Sequence, residues 1–238
     1  MIKTLFLDFD HTLADTTGAD VQAFASTATF LEQLMPGVDS SAVTTAFSDL
    51  IETQPWDPQE IIPADVWRTD LWSQALRQND CTDDELPGKL YDHFYTRRVT
   101  EMRWFEGVEA MLAILRRKYT LVIITNGDPI IQRPKLAACD AASAVDHIII
   151  SGEQPLAKPN PEIFETAAGL AGCEVSEAIH VGDSLATDIQ GGINAGVAAT
   201  VLVQDGPTPA PSPAPVPDYE IALVTQLPDV LERIEGAR

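Results

Sequence analysis

Cysteine is scarce in this chain: Cys81, Cys139 and Cys173 are widely spaced and show no C-x-x-C or Cys/His pattern. Neither a disulfide framework nor a zinc site is indicated, and a reducing cytoplasm is expected. Basic residues are few as well, 15 Lys and Arg against 36 Asp and Glu, which gives a net charge of −21. Nucleic-acid binding normally needs a basic patch to meet the phosphates, so no nucleic-acid partner is expected. An anionic substrate remains compatible where a metal ion and one or two cationic side chains reverse the potential locally. Long hydrophobic runs are missing too. The segment Met1 to Leu7 meets Asp8 and Asp10 before it reaches signal-peptide length, and no later run is long enough to span a bilayer, so a soluble chain without a membrane partner is expected.

What is present is an alternation of short apolar runs and helical patterns. Thr4 to Phe9 is nearly continuous in apolar residues, as in a parallel strand buried on both faces, and similar runs follow at Leu121 to Ile124, His147 to Ile150, Ala178 to Val181 and Ala198 to Val203. Helix-period segments separate them at Gly107 to Lys118, Pro161 to Ala171 and Leu185 to Ala195, and a last strand-helix pair is expected at Tyr219 to Val224 and Leu227 to Ile234. This pattern predicts an α/β fold with a doubly wound parallel sheet. The interval after the first strand is too long for one crossover helix. It carries apolar residues at helical spacing, including Phe24, Leu31, Phe47, Trp67, Leu71, Leu90 and Phe94, so residues 15–102 read as an inserted helical domain and residues 1–14 with 103–238 as the core. From Gly206 to Pro217 prolines alternate with small residues, which predicts a stiff extended connection of polyproline type.

Four polar motifs follow these apolar runs: Asp8-Phe9-Asp10-His11-Thr12, Thr125-Asn126-Gly127, Lys158-Pro159, and Gly182-Asp183 with Asp188 five residues later. Ligands of open α/β sheets bind outside the carboxyl ends of the strands, so the four should converge on one site. Residues two apart on a strand share a side, which would turn both Asp8 and Asp10 toward the crevice. Two carboxylates so close repel unless a cation lies between them. Mg²⁺, which takes one or two carboxylates with phosphate oxygens and water, removes the conflict, and Asp183 would complete its protein shell. One of the first pair can then attack phosphorus while the other protonates the leaving oxygen and later activates water. Thr125, the Asn126 amide and Lys158 would supply donors and positive charge to the transferring group.

Taken in order, Asp8-x-Asp10-x-Thr12, Thr125, Lys158 and Gly182-Asp183-x-x-x-x-Asp188 resemble the haloacid dehalogenase superfamily of phosphohydrolases. The resemblance implies an aspartyl-phosphate mechanism with Asp8 as nucleophile, Asp10 as general acid and base, and Lys158 as the clamp between nucleophile and phosphate. It further implies phosphate anchoring by Phe9, Thr125, Asn126 and Lys158. Mg²⁺ would be held by Asp8, the Asp10 carbonyl and Asp183, with Asp188 orienting Asp183 or Lys158 from behind. The insert takes the place of the family's helical cap, which selects the leaving group.

Thr125-Asn126-Gly127-Asp128, Gly152-Glu153-Gln154, the run Gly182 to Gly192 and Pro215 to Tyr219 are similar, within that superfamily, to the branch that dephosphorylates N-acylneuraminate 9-phosphate. Arg68-Thr69 with Trp72 adds to this likeness, and these three are the candidates for substrate choice, Arg68 for a substrate carboxylate. Trp72 and Trp67 also fit the core of the insert. The expected protein is therefore a cytoplasmic, monomeric, Mg²⁺-dependent phosphatase of a small phosphorylated metabolite. Alternatives are a 5′-nucleotidase or another sugar-phosphate phosphatase, a mutase and, from a different class, a catalytically inactive binding module. A dehalogenase is disfavoured, since carbon-halogen cleavage needs neither a metal nor an acid at Asp10. His11, His93, His147 and His180 lack ligand spacing and are expected to be structural.

Overall fold

The computed structural model describes residues 1–54, 62–204 and 214–236. Most of the proline-alternating connection lies outside them. The chain divides into two compact units, one of Met1–Asp15 with Arg103–Arg238 and one of Thr16–Met102.

The first unit is built on six parallel strands: β1 (Thr4–Leu7), β2 (Thr120–Thr125), β3 (His147–Ile150), β4 (Ala178–Gly182), β5 (Ala199–Val203) and β6 (Tyr219–Ile221). Their order across the sheet is β3-β2-β1-β4-β5-β6, so β1 is central and pairs with β2 through Thr4 opposite Thr120 and with β4 through Thr4 opposite Ala178. All four residues of β1 are buried, as a strand covered on both faces requires. The order reverses between β1 and β4, and that switch point opens the crevice at the carboxyl ends of both strands.

One face of this sheet is covered by a helix at Pro161–Ala171. Asn160 caps it by accepting from the Glu162 N–H at 3.0 Å, Pro161 occupies the first turn, and Gly172 ends it in the left-handed region. Its buried Ile163, Phe164, Ala167 and Ala168 pack on Phe6, Val122, Ile124 and Ile149, with the Phe164 ring 6.2 Å from Phe6 and edge-on to His180 at 4.9 Å. Further helices at Val108–Leu115, Pro129–Ala138, Ala141–Ala144, Gln190–Ala195 and Leu227–Gly236 complete this unit.

Helices at Thr16–Leu34, Ser40–Thr53, Ala64–Gln78 and Leu86–Thr100 make up the second unit. Its centre is aromatic: the Trp72 ring stacks on Phe47 at 3.7 Å, and Phe94 meets both edge-on. Among the described residues no helix is long and apolar enough to cross a membrane.

Three local expectations are corrected. The first strand stops at Leu7 and leaves Asp8, Phe9 and Asp10 in the following loop. The helix expected over 185–195 is a wide turn, Leu185–Ile189, followed by a short helix, because the Asp188 and Ile189 N–H groups both donate to the Ser184 carbonyl, at 2.9 and 3.1 Å. The last strand ends at Ile221, and a single tight turn over Val224–Gln226 leads into the final helix.

Phe164 is the fully buried aromatic that joins helix and sheet directly beneath the crevice. Phe164→Ala should lower the stability of this unit by about 3–5 kcal/mol, the range for a large core ring cut back to a methyl group. Urea unfolding followed by far-ultraviolet circular dichroism measures this, and a loss below about 1 kcal/mol would show that Phe164 is not the packing centre described.

Candidate active site

Three neighbouring strand ends deliver the acidic and hydroxyl groups. Asp8 follows β1, Thr125 closes β2, and Asp183 follows β4, while Lys158 comes from the loop ahead of the Pro161–Ala171 helix. The Lys158 side chain is buried, and its ammonium donates to Asp8 Oδ1 at 2.7 Å, Asp188 Oδ1 at 2.6 Å and the Ile124 carbonyl at 2.7 Å. Three N–H groups meet three acceptors, which is the condition for keeping a buried ammonium. Asn126 fixes the lysine's backbone, donating from Nδ2 to the Lys158 carbonyl at 2.9 Å and accepting the Lys158 N–H on Oδ1 at 3.0 Å. The Asn126 side-chain amide is thus spent on Lys158. This corrects the expectation that the amide would serve the phosphate.

Asp188 is saturated with donors. Besides Lys158 it contacts His180 Nε2 at 3.1 Å and takes the Ser184 N–H on Oδ2 at 3.0 Å. Gly182 makes room for it, since a Cβ at that position would overlap the Asp188 carboxyl group. Although burial opposes its charge, Lys158 and His180 hold the Asp188 carboxyl well below the usual range. Burial, helped by the nearby Lys158 charge, lowers the pKa of His180 against the opposing pull of Asp188 and of the Phe6 carbonyl, 3.2 Å from its other nitrogen; the neutral ring then donates to one of its two acceptors. Lys158 stays above its ordinary value, because Asp188 and Asp8 outweigh the burial that works against its charge.

Asp8 and Asp183 differ from Asp188. Burial pushes Asp8 up to about 7 even with Lys158 beside it, and Asp183 is also raised, first by burial and then by the charge of Asp188. Asp8 Oδ2 has no hydrogen-bond donor among the described residues, and Asp183 forms no ion pair there, taking a long 3.5 Å hydrogen bond from the Thr12 hydroxyl. One carboxylate oxygen from each of Asp8, Asp183 and Asp188 lies within 4.8 Å of the others. With Asp188 already neutralised, the uncompensated charge sits on Asp8 and Asp183, and a hard cation with oxygen ligands fits that donor set.

Asp10 faces other partners. Its Oδ1 is ion-paired with Lys135, and its Oδ2 accepts from Gln132 Nε2 at 2.7 Å. The same Gln132 nitrogen donates to Thr125 Oγ1 at 2.6 Å, and Lys135 donates to Gln132 Oε1 at 2.9 Å. Asp8 and Asp10 therefore do not present one strand face, as expected, but meet two different lysines from a loop. Gln132 and Lys135 escaped the sequence reading. The signal for them was a glutamine and a lysine three residues apart on the helix that opens directly after Thr125-Asn126-Gly127. The Phe9 ring is buried, edge-on to Trp104 at 5.7 Å, so its expected phosphate contact concerns the backbone N–H alone.

The three candidates in the second unit part company. Trp72 is fully buried in the stack with Phe47, which corrects its expected role in substrate choice to one in packing. Thr69 donates its hydroxyl to the Asp65 carbonyl at 2.8 Å and lines an open groove with Asp65, Asp70, Asp84 and Asp92, a setting that repels an anionic ligand. Arg68 lies 5.5 Å over the Trp67 ring, makes no ion pair among the described residues, and has a buried Nε without a partner. Burial and the neighbouring Arg98 push its pKa down to about 10, while Asp20 is already paired with Arg98.

Residues 2–196 match the model of the haloacid dehalogenase-like hydrolases. The chain is 34% identical to N-acylneuraminate-9-phosphatase of Rattus norvegicus over 98% of its own length and 95% of that protein. It is 30% identical to glyceraldehyde 3-phosphate phosphatase of Pyrococcus furiosus over 99% of its length and 95% of that one. Among solved structures, the HAD hydrolase YfnB of Bacillus subtilis superposes with a TM-score of 0.73 at 21% identity, covering 97% of this chain and 98% of that one. The chain belongs to the haloacid dehalogenase-like hydrolase family, among its phosphoric monoester hydrolases.

Proposed function

We propose that the protein is a Mg²⁺-dependent phosphatase that works through an aspartyl-phosphate on Asp8 and that its substrate is N-acylneuraminate 9-phosphate. The observation that carries the chemistry is the buried Lys158 ammonium, which neutralises Asp188 and one oxygen of Asp8, the other Asp8 oxygen having no donor among the described residues. That oxygen forms the bond to phosphorus as the ester oxygen departs and takes a proton from Asp10. Water then gives its proton to Asp10 and attacks phosphorus, the Asp8–phosphorus bond breaks, and inorganic phosphate leaves. Asp8, the Asp10 carbonyl and Asp183 would hold Mg²⁺, which when bound supplies positive charge to the phosphate oxygens and relieves the crowded carboxylates. The Thr125 hydroxyl and the N–H groups of Phe9 and Asn126 would donate to the remaining phosphate oxygens, while Lys158, whose three N–H groups are already matched, would add positive charge.

The helical unit of residues 16–102 serves in this proposal as a cap that chooses the leaving group. The substrate assignment rests on the match to N-acylneuraminate-9-phosphatase along nearly the whole chain and on Arg68, a half-buried guanidinium that pairs with no carboxylate among the described residues. A sialate ester carries a carboxylate that such a planar fork grips bidentately. The similarly extensive match to glyceraldehyde 3-phosphate phosphatase supports a second reading, a phosphatase of another small phosphorylated sugar.

Asp8→Asn keeps the shape of the nucleophile and removes its charge. Its kcat should fall by about three orders of magnitude or more while the fold survives, as in other removals of an acting nucleophile. Steady-state phosphate release measures this, and near-normal turnover would end the nucleophile assignment.

Chelation should abolish activity, and Mg²⁺ should restore it and raise the melting temperature. The gain should depend on pH in a defined direction. Asp8 in the metal-free fold is raised from 3.8 to about 7, so its protonation favours that fold at low pH and the benefit is lost as pH rises through about 7. Mg²⁺ needs the ionised carboxylate, so the shift in Tm on adding it should be larger at pH 8 than at pH 6. A shift at pH 6 equal to that at pH 8, measured by differential scanning fluorimetry, contradicts the ligand assignment.

Arg68→Ala should weaken kcat/KM for the sialate ester by about 1.5–3 kcal/mol, the worth of a hydrogen bond to a charged group, and spare a small aryl phosphate. Equal losses on both substrates would show that Arg68 supports its own helix and not the ligand.

A further inference from the structure

The Pro129–Ala138 helix begins at an Asp128 cap, whose side chain accepts the Ile130 N–H at 2.7 Å, and it buries two residues that normally stay at the surface. Gln132 and Lys135 are each only 2% exposed. Three residues apart, they share one helical face, which is turned into the loop after β1. Burying a lysine and an amide is unfavourable unless every polar atom is matched, and an apolar pair of the same volume would pack at no such penalty.

The matching here involves the reacting groups themselves. A lysine ammonium can only donate, so the contact from Lys135 at 2.9 Å forces the Gln132 carbonyl oxygen to face it and turns the Gln132 amide nitrogen the other way. That nitrogen has two N–H groups, one directed to Asp10 Oδ2 at 2.7 Å and one to Thr125 Oγ1 at 2.6 Å. Lys135 takes the other Asp10 oxygen. Both oxygens of Asp10 are thereby fixed. The Thr125 oxygen is committed as an acceptor, so its own proton is free to point to a different acceptor.

We propose that Lys135 and Gln132 are positioning residues for this hydrolase: Lys135 sets the orientation of the Gln132 amide, and that amide holds the proton-transfer group Asp10 and the phosphate-anchoring hydroxyl of Thr125 in one register. The proposal rests on the assignment of Asp10 as general acid and base. It assigns a catalytic consequence to two buried residues that touch neither phosphorus nor metal.

The experiment compares Lys135→Met, Lys135→Arg and Gln132→Met with the wild type and with Asp10→Asn, all with Mg²⁺ present. It reads kcat and KM on an alkyl phosphate and on 4-nitrophenyl phosphate, together with the melting temperature. General acid help matters most for the poor alkyl leaving group and is worth about 10²–10⁴-fold. Lys135→Met and Gln132→Met should lower kcat on the alkyl ester by about 10-fold or more beyond any loss on the aryl ester, consistent with that range, with KM little changed. Lys135→Arg, which keeps a donor cation, should retain most of the alkyl activity. Should Lys135→Met fail to fold, Gln132→Met and Lys135→Arg carry the same comparison. If Asp10→Asn shows the leaving-group dependence and the Lys135 and Gln132 variants lose both substrates equally, or lose only melting temperature, the positioning role is overturned and the acid assignment stands. If Asp10→Asn itself lacks that dependence, both fall together.

Discussion

A single buried ammonium organises the candidate site. Lys158 donates to Asp8, to Asp188 and to the Ile124 carbonyl, and each contact lies between 2.6 and 2.7 Å. Remove it, and Asp8, Asp183 and Asp188 become three carboxylates with oxygens within 4.8 Å of one another and no resident cation to offset them. Much of the surrounding sequence follows from keeping that ammonium in place. Asn126 clasps its backbone from the end of β2, Gly182 has no side chain because Asp188 fills the space, and the wide turn at Leu185–Ile189 brings Asp188 down onto it. His180 and the Ser184 N–H complete the shell of Asp188 and leave it a spent charge. The acidity that remains for chemistry is concentrated on Asp8 and Asp183.

A second cation plays the corresponding part for Asp10. Pairing each aspartate of Asp8-Phe9-Asp10 with its own buried lysine separates two carboxylates that a regular strand would have pointed the same way. Ending β1 at Leu7 is what permits this, since loop backbone can aim Asp8 toward the loop bearing Lys158 and Asp10 toward the helix bearing Lys135. The roles proposed for the two residues differ accordingly. Among the described residues Asp8 keeps one oxygen without a donor, as a nucleophile needs, and Asp10 has both oxygens held.

The strands were legible because a doubly covered parallel sheet leaves uninterrupted apolar runs, as in Thr4 to Leu7 and Ala178 to Val181. Three of the four motifs were legible because they stand directly at or beyond those runs, and Lys158-Pro159 stands farther on, in the loop ahead of the Pro161–Ala171 helix. What escaped depends on which way a side chain turns after the backbone leaves regular geometry. Nothing in Asn126 itself distinguishes a phosphate donor from a clasp on Lys158. Gln132 and Lys135 look like an ordinary polar pair on a helix until the loop after β1 is placed against them. Trp72 reads first as a core residue and second as a sugar platform, and the stack with Phe47 places it in the core of its unit. The wide turn at Leu185–Ile189 has the pattern of a plain helix start, and its extra width comes from two N–H groups sharing the Ser184 carbonyl.

The helical unit contributes a different kind of constraint. In a chain of net charge −21, an anionic substrate needs specific cations, and Arg68 is a guanidinium that the described residues leave without a carboxylate. In the proposed function the core supplies the phosphoryl chemistry and a few side chains of the insert supply the choice of ester. The chemistry at Asp8 is the claim on which the rest depends, and the stereochemical course at phosphorus tests it most directly. A phosphate ester made chiral with oxygen isotopes, hydrolysed in labelled water, should release phosphate with net retention of configuration, because two in-line displacements occur, one by Asp8 and one by water. Net inversion would mean that water attacks the ester directly and that Asp8 never bonds to phosphorus.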